Sequence, residues 1–199
     1  QFDCSNLYSP DGPVVAVNEH ASDPHFEPSS IHSKVIKKGD WLLIDLWARL
    51  NQHDSIFGDI TWVAYLGDSV PSLYQRVFDI VIGARDSVLR ELHQAFHDQR
   101  ILQGWQLDKV ARDYIVEAGY GDQFNHRVGH SLGREVHGNA VNLDGFETHD
   151  TRDLIPGIGV TIEPGIYLPE FGMRSEINVY LSHQGPEVTT QIQRSVCLI

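Results

Sequence analysis

Asp45, Asp59, His130, Glu163 and Glu176 are four carboxylates and one imidazole, a set suited to a pair of divalent ions in an oxygen-rich, nitrogen-poor site. Each lies in a short apolar, strand-like run where a solvated acid is out of place. Asp45 ends Trp41-Leu42-Leu43-Ile44, and Glu163 ends Val160-Thr161-Ile162. Burying such acids is costly unless a positive charge compensates, and a metal ion supplies one.

The acids also form an internal echo. Gly39-Asp-Trp-Leu-Leu-Ile-Asp45 and Gly157-Ile-Gly-Val-Thr-Ile-Glu163 share one pattern, a glycine leading through an apolar strand to an acid. A second acid follows each, Asp59 after Asp45 and Glu176 after Glu163. The midpoints fall at residue 52 and between Pro169 and Glu170, where turn residues already stand. The spacing therefore predicts two hairpins, each carrying a directly opposed carboxylate pair that a cation must separate.

His130 lies in His126-Arg-Val-Gly-His130-Ser-Leu-Gly133. A helix would pair His126 with His130 as in HExxH, but the glutamate is missing and Gly129 and Gly133 disfavour a helix interior. The segment reads as extended or irregular, with glycines allowing close backbone approach.

The elements that must position these residues have a mixed order. Pro13 to Val17 reads as a strand, Ala21 to Ser33 as a loop, and Trp41 to Leu50 and Ile56 to Leu66 as paired strands. A long helix follows Pro71, with Leu73, Val77, Ile80, Val81, Ala84, Val88, Leu89 and Leu92 at three-to-four spacing. A second helix is expected from an Asp108 N-cap to a Gly119 stop. Val128 to Asn142 is rich in glycine and histidine. Val160 to Leu168 and Met173 to Leu181 read as two more strands.

Length and composition allow one globular domain with a substantial core. No apolar run reaches the roughly 20 residues of a membrane helix. The two cysteines, Cys4 and Cys197, form no disulfide framework, so a reducing, cytoplasmic setting is the default. A formal net charge of -12 argues against a general nucleic-acid binder.

Seven stretches in order carry a resemblance: Asp23-Pro-His-Phe-Glu-Pro28, Ile44-Asp-Leu-Trp-Ala48, Gly58-Asp-Ile-Thr-Trp62, Gly129-His-Ser-Leu-Gly133, Glu135-Val-His-Gly138, Ile162-Glu-Pro-Gly-Ile-Tyr167 and Arg174-Ser-Glu-Ile-Asn178. Together they resemble the catalytic domain of the Xaa-Pro peptidases (prolidase and aminopeptidase P), in the wider metallopeptidase family that includes methionine aminopeptidase. The resemblance implies the α+β pita-bread fold, with a curved, mainly antiparallel sheet, helices on its outer face and pseudo-two-fold halves. It implies two divalent ions, Mn foremost, with Co, Zn or Fe as alternatives. Asp45 would chelate one ion, Asp59 and Glu176 would bridge both, and His130 and Glu163 would bind the other. A hydroxide held between the ions would be the nucleophile and Glu163 the general base. His25 and His137 match the family's substrate-side histidines, and His126 and Arg174 match secondary positions near the site. Arg174, two residues from Glu176, is expected to orient that carboxylate. The implied partner is a peptide with proline at position two, and a homodimer is compatible with the family.

Two departures accompany the match. The Asp45 to Asp59 spacing is a few residues longer than the family's commonest spacing. A segment before Pro13, and an upstream domain, are expected to be missing from this single catalytic domain of residues 1–199. Two rival readings use the same fold: a non-catalytic interaction module, and a creatinase-like hydrolase that works without metals. An intact ligand set disfavours both. His32 competes with His25 for the substrate-side role. His20, His53, His93, His97, His149 and His183 are expected at the surface, and Trp47 and Trp62 in packing.

Overall fold

The computed structural model describes residues 2–31 and 33–199. Strands β1 (Leu7–Tyr8), β2 (Val14–Val17), β3 (Trp41–Leu50) and β4 (Gly58–Tyr65) come first. Helices α1 (Ser72–His97) and α2 (Gly104–Glu117) follow. The remaining strands are β5 (Ser131–Leu132), β6 (Gly159–Ile162), β7 (Gly165–Leu168), β8 (Phe171–Arg174), β9 (Ile177–Ser182), β10 (Gly185–Val188) and β11 (Cys197–Leu198).

One sheet runs β1-β3-β4-β11, with β2 also on β3; a second runs β10-β9-β6-β5; β7 and β8 form a two-stranded ribbon. Among the described residues every strand pairing is antiparallel except β11 on β4. Burial follows the three-to-four repeat of α1, at Val77, Val81, Ala84, Val88, Leu92 and Ala95. That stripe packs on α2 and on β6, β7, β8 and β10. Val160 and Ile162 join this core, whereas the alternate positions Thr161 and Glu163 point the other way. Leu42, Val17 and Ala64 form a smaller apolar cluster on the far face of the first sheet.

The internal echo exists in the backbone. Gly39 and Gly157 both take positive φ, 94° and 99°, a conformation that suits glycine. Gly39 N donates to Leu66 O at 2.6 Å, and Gly157 N donates to Leu181 O at 2.7 Å. In return Leu66 N bonds to Asp40 O and Leu181 N to Ile158 O. The two acid-bearing strands thus start from the same backbone clasp.

Three expectations need correction. Asp45 pairs with Thr61, and Trp47 with Asp59, so the first carboxylate pair is diagonal on one face instead of opposed. A midpoint count cannot see how the 51–57 connection is shaped, and here it shifts the register by one pleat. The second pair keeps its expected register, since Thr161↔Asn178 and Gly165↔Arg174 bracket Glu163 and Glu176. However, the two long strands expected there are each split, between β6 and β7 and between β8 and β9. Pro164 cannot donate to a ladder. Glu163 N turns to Val128 O at 2.8 Å, and Glu176 N to Thr61 O at 3.3 Å. Finally, α2 starts at Gly104 from a Gln103–Gln106 capping box, and Asp108 lies inside the helix, buried and paired with Arg112.

Candidate metal centre

The break in each long strand is what brings the acids together. Asp59 on β4 is tied to the second sheet by Asn178, whose side chain accepts from Asp59 N (2.9 Å) and donates to Asp59 O (2.7 Å). His130 precedes β5, and its segment crosses β6 closely: a Cβ on Gly129 would meet Thr161 O at 2.1 Å. Thr161 N donates to His130 O, and Thr161 Oγ1 accepts from His130 N at 2.9 Å while donating to Glu163 Oε1 at 2.9 Å.

Ligand atoms of Asp59, His130 and Glu176 lie within 4.8 Å of one another, all three residues buried. Glu163 Oε1 is 3.3 Å and Asp59 Oδ2 3.5 Å from His130 Nε2. His130 Nδ1 lies 3.1 Å from Ser131 O, so Nε2 is the ring nitrogen that faces the two carboxylates. Burial resists a charge on His130, yet the Asp59 hydrogen bond and the Glu163 charge outweigh it and raise its pKa. Burial first, then neighbouring carboxylates, raises Glu176 well above the usual range, and burial likewise raises Asp59 and Glu163. Buried oxygens Asp45 Oδ1, Asp59 Oδ1 and Glu176 Oε1 have no hydrogen-bond partner among the described residues. Orphan acceptors around an imidazole lone pair fit divalent cations, and no protein donor fills that role.

Arg174 reaches a different acid from the one expected. It donates to Asp45 Oδ2 at 2.6 Å, to Tyr167 Oη at 2.7 Å and to Thr61 Oγ1 at 3.1 Å. Thr61 in turn donates to Glu176 Oε2 at 2.9 Å, so that hydroxyl carries the hydrogen-bonded link from Arg174 to Glu176. His126 is buried, with Nδ1 donating to Arg127 O (2.6 Å) and Nε2 accepting from Tyr167 Oη (2.8 Å). Burial, then the Arg174 charge, lowers its pKa to about 3, which keeps it neutral. Tyr167 is pushed up to about 12 by burial and stays a donor.

These groups open onto a cavity of about 390 Å³ lined by His25 and His137, by Phe26, Trp47 and Val136, and by Arg127 and Glu147. The His137 ring stands edge-on to His130 with centroids 4.5 Å apart; its burial, then His130, lowers its pKa to about 4. His25 is exposed at the cavity wall, its backbone N–H bonded to Asp23. His32 lies outside the described residues. His20 stacks on Phe26 and His53 pairs with Asp54, away from the centre. Trp47 faces the cavity, contrary to a pure packing role. Sequence reasoning gave Thr61, Thr161, Tyr167 and Asn178 no role. The two threonines carried a signal, since each stands two positions from a candidate ligand on the same strand face.

Residues 5–183 match the model of Metallopeptidase family M24. The chain is 31% identical over 182 residues to an uncharacterized peptidase of Staphylococcus epidermidis, covering 91% of this chain and 47% of that protein. It is 32% identical over 185 residues to a Xaa-Pro dipeptidase of Pyrococcus furiosus, covering 92% and 48%. An X-Pro aminopeptidase structure from Thermotoga maritima superposes with a TM-score of 0.79 at 33% identity, covering 94% of this chain and 49% of that one. The chain therefore spans about half the length of the relatives it matches. Its architecture is the pita-bread fold of those neighbours. With that fold and the carboxylate–histidine cluster at its centre, the chain belongs to metallopeptidase family M24.

Proposed function

We propose that this chain is a single catalytic domain that hydrolyses the bond before proline at the N-terminus of a dipeptide or peptide, with two divalent ions, manganese foremost. The carrying observation is the buried cluster of Asp59, His130 and Glu176, with three unpartnered carboxylate oxygens around it. Asp45, Asp59, His130, Glu163 and Glu176 would hold the ions. When bound, the ions supply positive charge that polarises the scissile carbonyl and lowers the pKa of water.

The chain's own residues do the rest. Glu163, raised in pKa by burial and braced by Thr161, accepts a proton from the attacking water and delivers it to the departing prolyl nitrogen. That delivery matters because the prolyl nitrogen must gain a proton to depart as a neutral amine. His137 stays neutral down to about pH 4, so it can donate a hydrogen bond to the developing oxyanion without carrying charge. His25 faces the same cavity and positions the substrate. Phe26, Trp47 and Val136 offer apolar surface for a pyrrolidine ring.

Elemental analysis of protein purified without chelator, followed by assay on Xaa-Pro dipeptides with added Mn, tests this. We expect about two divalent ions per chain and turnover that Glu163→Gln abolishes with the circular dichroism spectrum unchanged. Folded protein that binds no divalent metal would sink the proposal. Metal binding with full activity in Glu163→Gln would remove that residue's role. A family member acting only as an interaction module, or a hydrolase working without metals, would show neither metal dependence nor Xaa-Pro turnover.

A further inference from the structure

We infer that the β3–β4 turn, closed from within by Arg49, is the support that sets the His137 segment beside the candidate metal centre, which makes Arg49 a positioning residue for the reaction. The catalytic part of this inference rests on the peptidase reading above. β3 and β4 pair as far as Ala48↔Gly58, so residues 49–57 must turn without a ladder. That connection is longer than the roughly two to five residues of a common hairpin loop, and something must give it shape. Arg49 does so. Its Nη1 donates to Leu50 O at 3.3 Å, to Gln52 O at 2.8 Å and to Ser55 Oγ at 3.3 Å. Ser55 Oγ donates in turn to Gln52 O at 2.7 Å. The Arg49 guanidinium carbon lies 4.6 Å from the Tyr8 ring centroid and 5.6 Å from that of buried Phe57, within reach of cation–π attraction. One planar cation thus gathers the acceptors of the turn and seats two aromatic rings, which a compact ammonium would do less well.

The turn so shaped reaches the second sheet. Phe57 N, just past the last ladder pair, donates to Gly133 O at 2.9 Å. At the exposed tip, Arg134 Nη2 and His53 Nε2 lie 3.2 Å apart. Gly133 opens the segment that follows β5, and that segment carries Val136 and His137 to the cavity wall. Its far end is fixed by its own strand. Gly138 N donates to Ser131 O at 2.7 Å, and the hydroxyl of buried Ser131 donates to Ala140 O at 3.1 Å. A Cβ on Gly138 would stand 3.1 Å from Ser131 O and from Leu132 C, so this end closes tightly. The near end is held across the sheets, by the Phe57 bond. His137 sits between these two holds, with its ring centroid 4.5 Å from that of His130. A donor to an oxyanion works only at a defined position, and a misplacement of about 1 Å can cost on the order of a hundredfold in rate. Losing Arg49 frees the turn, and with it the near end of the His137 segment.

The test compares wild type, Arg49→Ala, Arg49→Lys, His137→Ala and the double variant of Arg49→Ala with His137→Ala. Hydrogen–deuterium exchange on each protein follows peptides covering residues 131–140 and, as a reference, α1. The manganese-loaded proteins are assayed on Ala-Pro. We expect Arg49→Ala to speed exchange across 131–140 by about tenfold with α1 unchanged. It should lower kcat by about 10–100-fold with KM little changed, the mark of an interaction made in the transition state. Arg49→Lys should regain part of both. In the His137→Ala background, Arg49→Ala should cost less than about twofold more, because a group already absent cannot be misplaced. Should Arg49→Ala fail to fold, Arg49→Met keeps the aliphatic stem and takes its place under the same expectations. Unchanged exchange across 131–140, or an equal rise in α1, overturns the inference. So do full activity in His137→Ala and an equal cost of Arg49→Ala with and without His137. If wild type cleaves no Xaa-Pro peptide, the peptidase reading fails. The exchange data then decide the support on their own: a rise confined to 131–140 upholds it, and no rise overturns it.

Discussion

Asp59 shows at the level of one residue what the centre requires. Its Oδ2 faces His130, its Oδ1 faces no donor, and it lies among Asp45, Glu163 and Glu176. Removing one negative charge should relieve the cluster when metal is absent. Asp59→Asn is therefore expected to stabilise the metal-free protein, on the order of 1 kcal/mol. Added Mn is expected to stabilise wild type by about 2.7 kcal/mol at a hundredfold excess over Kd, and the same change should erase that gain. Thermal melts of both proteins with EDTA and with Mn check this. A variant that melts lower than wild type in EDTA, or that keeps the Mn-induced rise, would contradict it. At this scale much was legible in the sequence. An acid closing an apolar strand is already an anomaly, because burial penalises it whatever the fold. The contacts of Arg174 were not legible: spacing put it on the face of Glu176, but its fork reaches across to Asp45 on another strand.

At the level of elements, the site depends on two strands that stop pairing and one segment that crosses closely. Glu163 and Glu176 leave their ladders to bond with Val128 and Thr61, and the second of these bonds ties Glu176 to β4 of the first sheet. Gly129 lets the His130 segment lie against β6, where a Cβ would sit 2.1 Å from a backbone oxygen. Gly129→Ala should force these backbones apart and cost about 3 kcal/mol or more. Urea denaturation measures the loss, and metal content at low temperature should fall with it. A fully stable, metal-replete Gly129→Ala protein would show that the approach is looser than described. The diagonal offset of Asp45 and Asp59 also belongs here. Alternation alone put both acids on one face, which holds. The number of residues drawn into the 51–57 turn set the offset, and a count along the chain cannot see it.

Across the whole molecule, Arg85 links the helical layer to the site. It is fully buried on α1 and donates to Ser175 Oγ (2.7 Å) and Gln193 O (2.9 Å), besides pairing with Asp86. Ser175 adjoins the candidate ligand Glu176, so one guanidinium joins α1, the break between β8 and β9, and the C-terminal segment. Arg85→Met should cost about 2–4 kcal/mol by leaving two buried groups unpaired. Asp86→Asn should cost less than about 1 kcal/mol, because that carboxylate is partly solvated. Chemical denaturation of both variants ranks them, and equal costs would deny Arg85 the linking role.

The sequence by itself marked four acids and one imidazole as out of place on apolar strands, and showed that the chain holds two acid-bearing strand pairs. Those statements follow from the cost of burying charge and from the two-residue period of a strand, both local in origin. The matched clasps at Gly39 and Gly157 bear out the repeated leader. Only the tertiary structure decided how the pairs approach: the diagonal register, the broken strands, and the threonines, Tyr167 and Arg174 that link the acids. Those features arise from backbone groups and side chains far apart in the chain competing for the same partners. Such competition is resolved only when the two sheets and α1 are packed against one another.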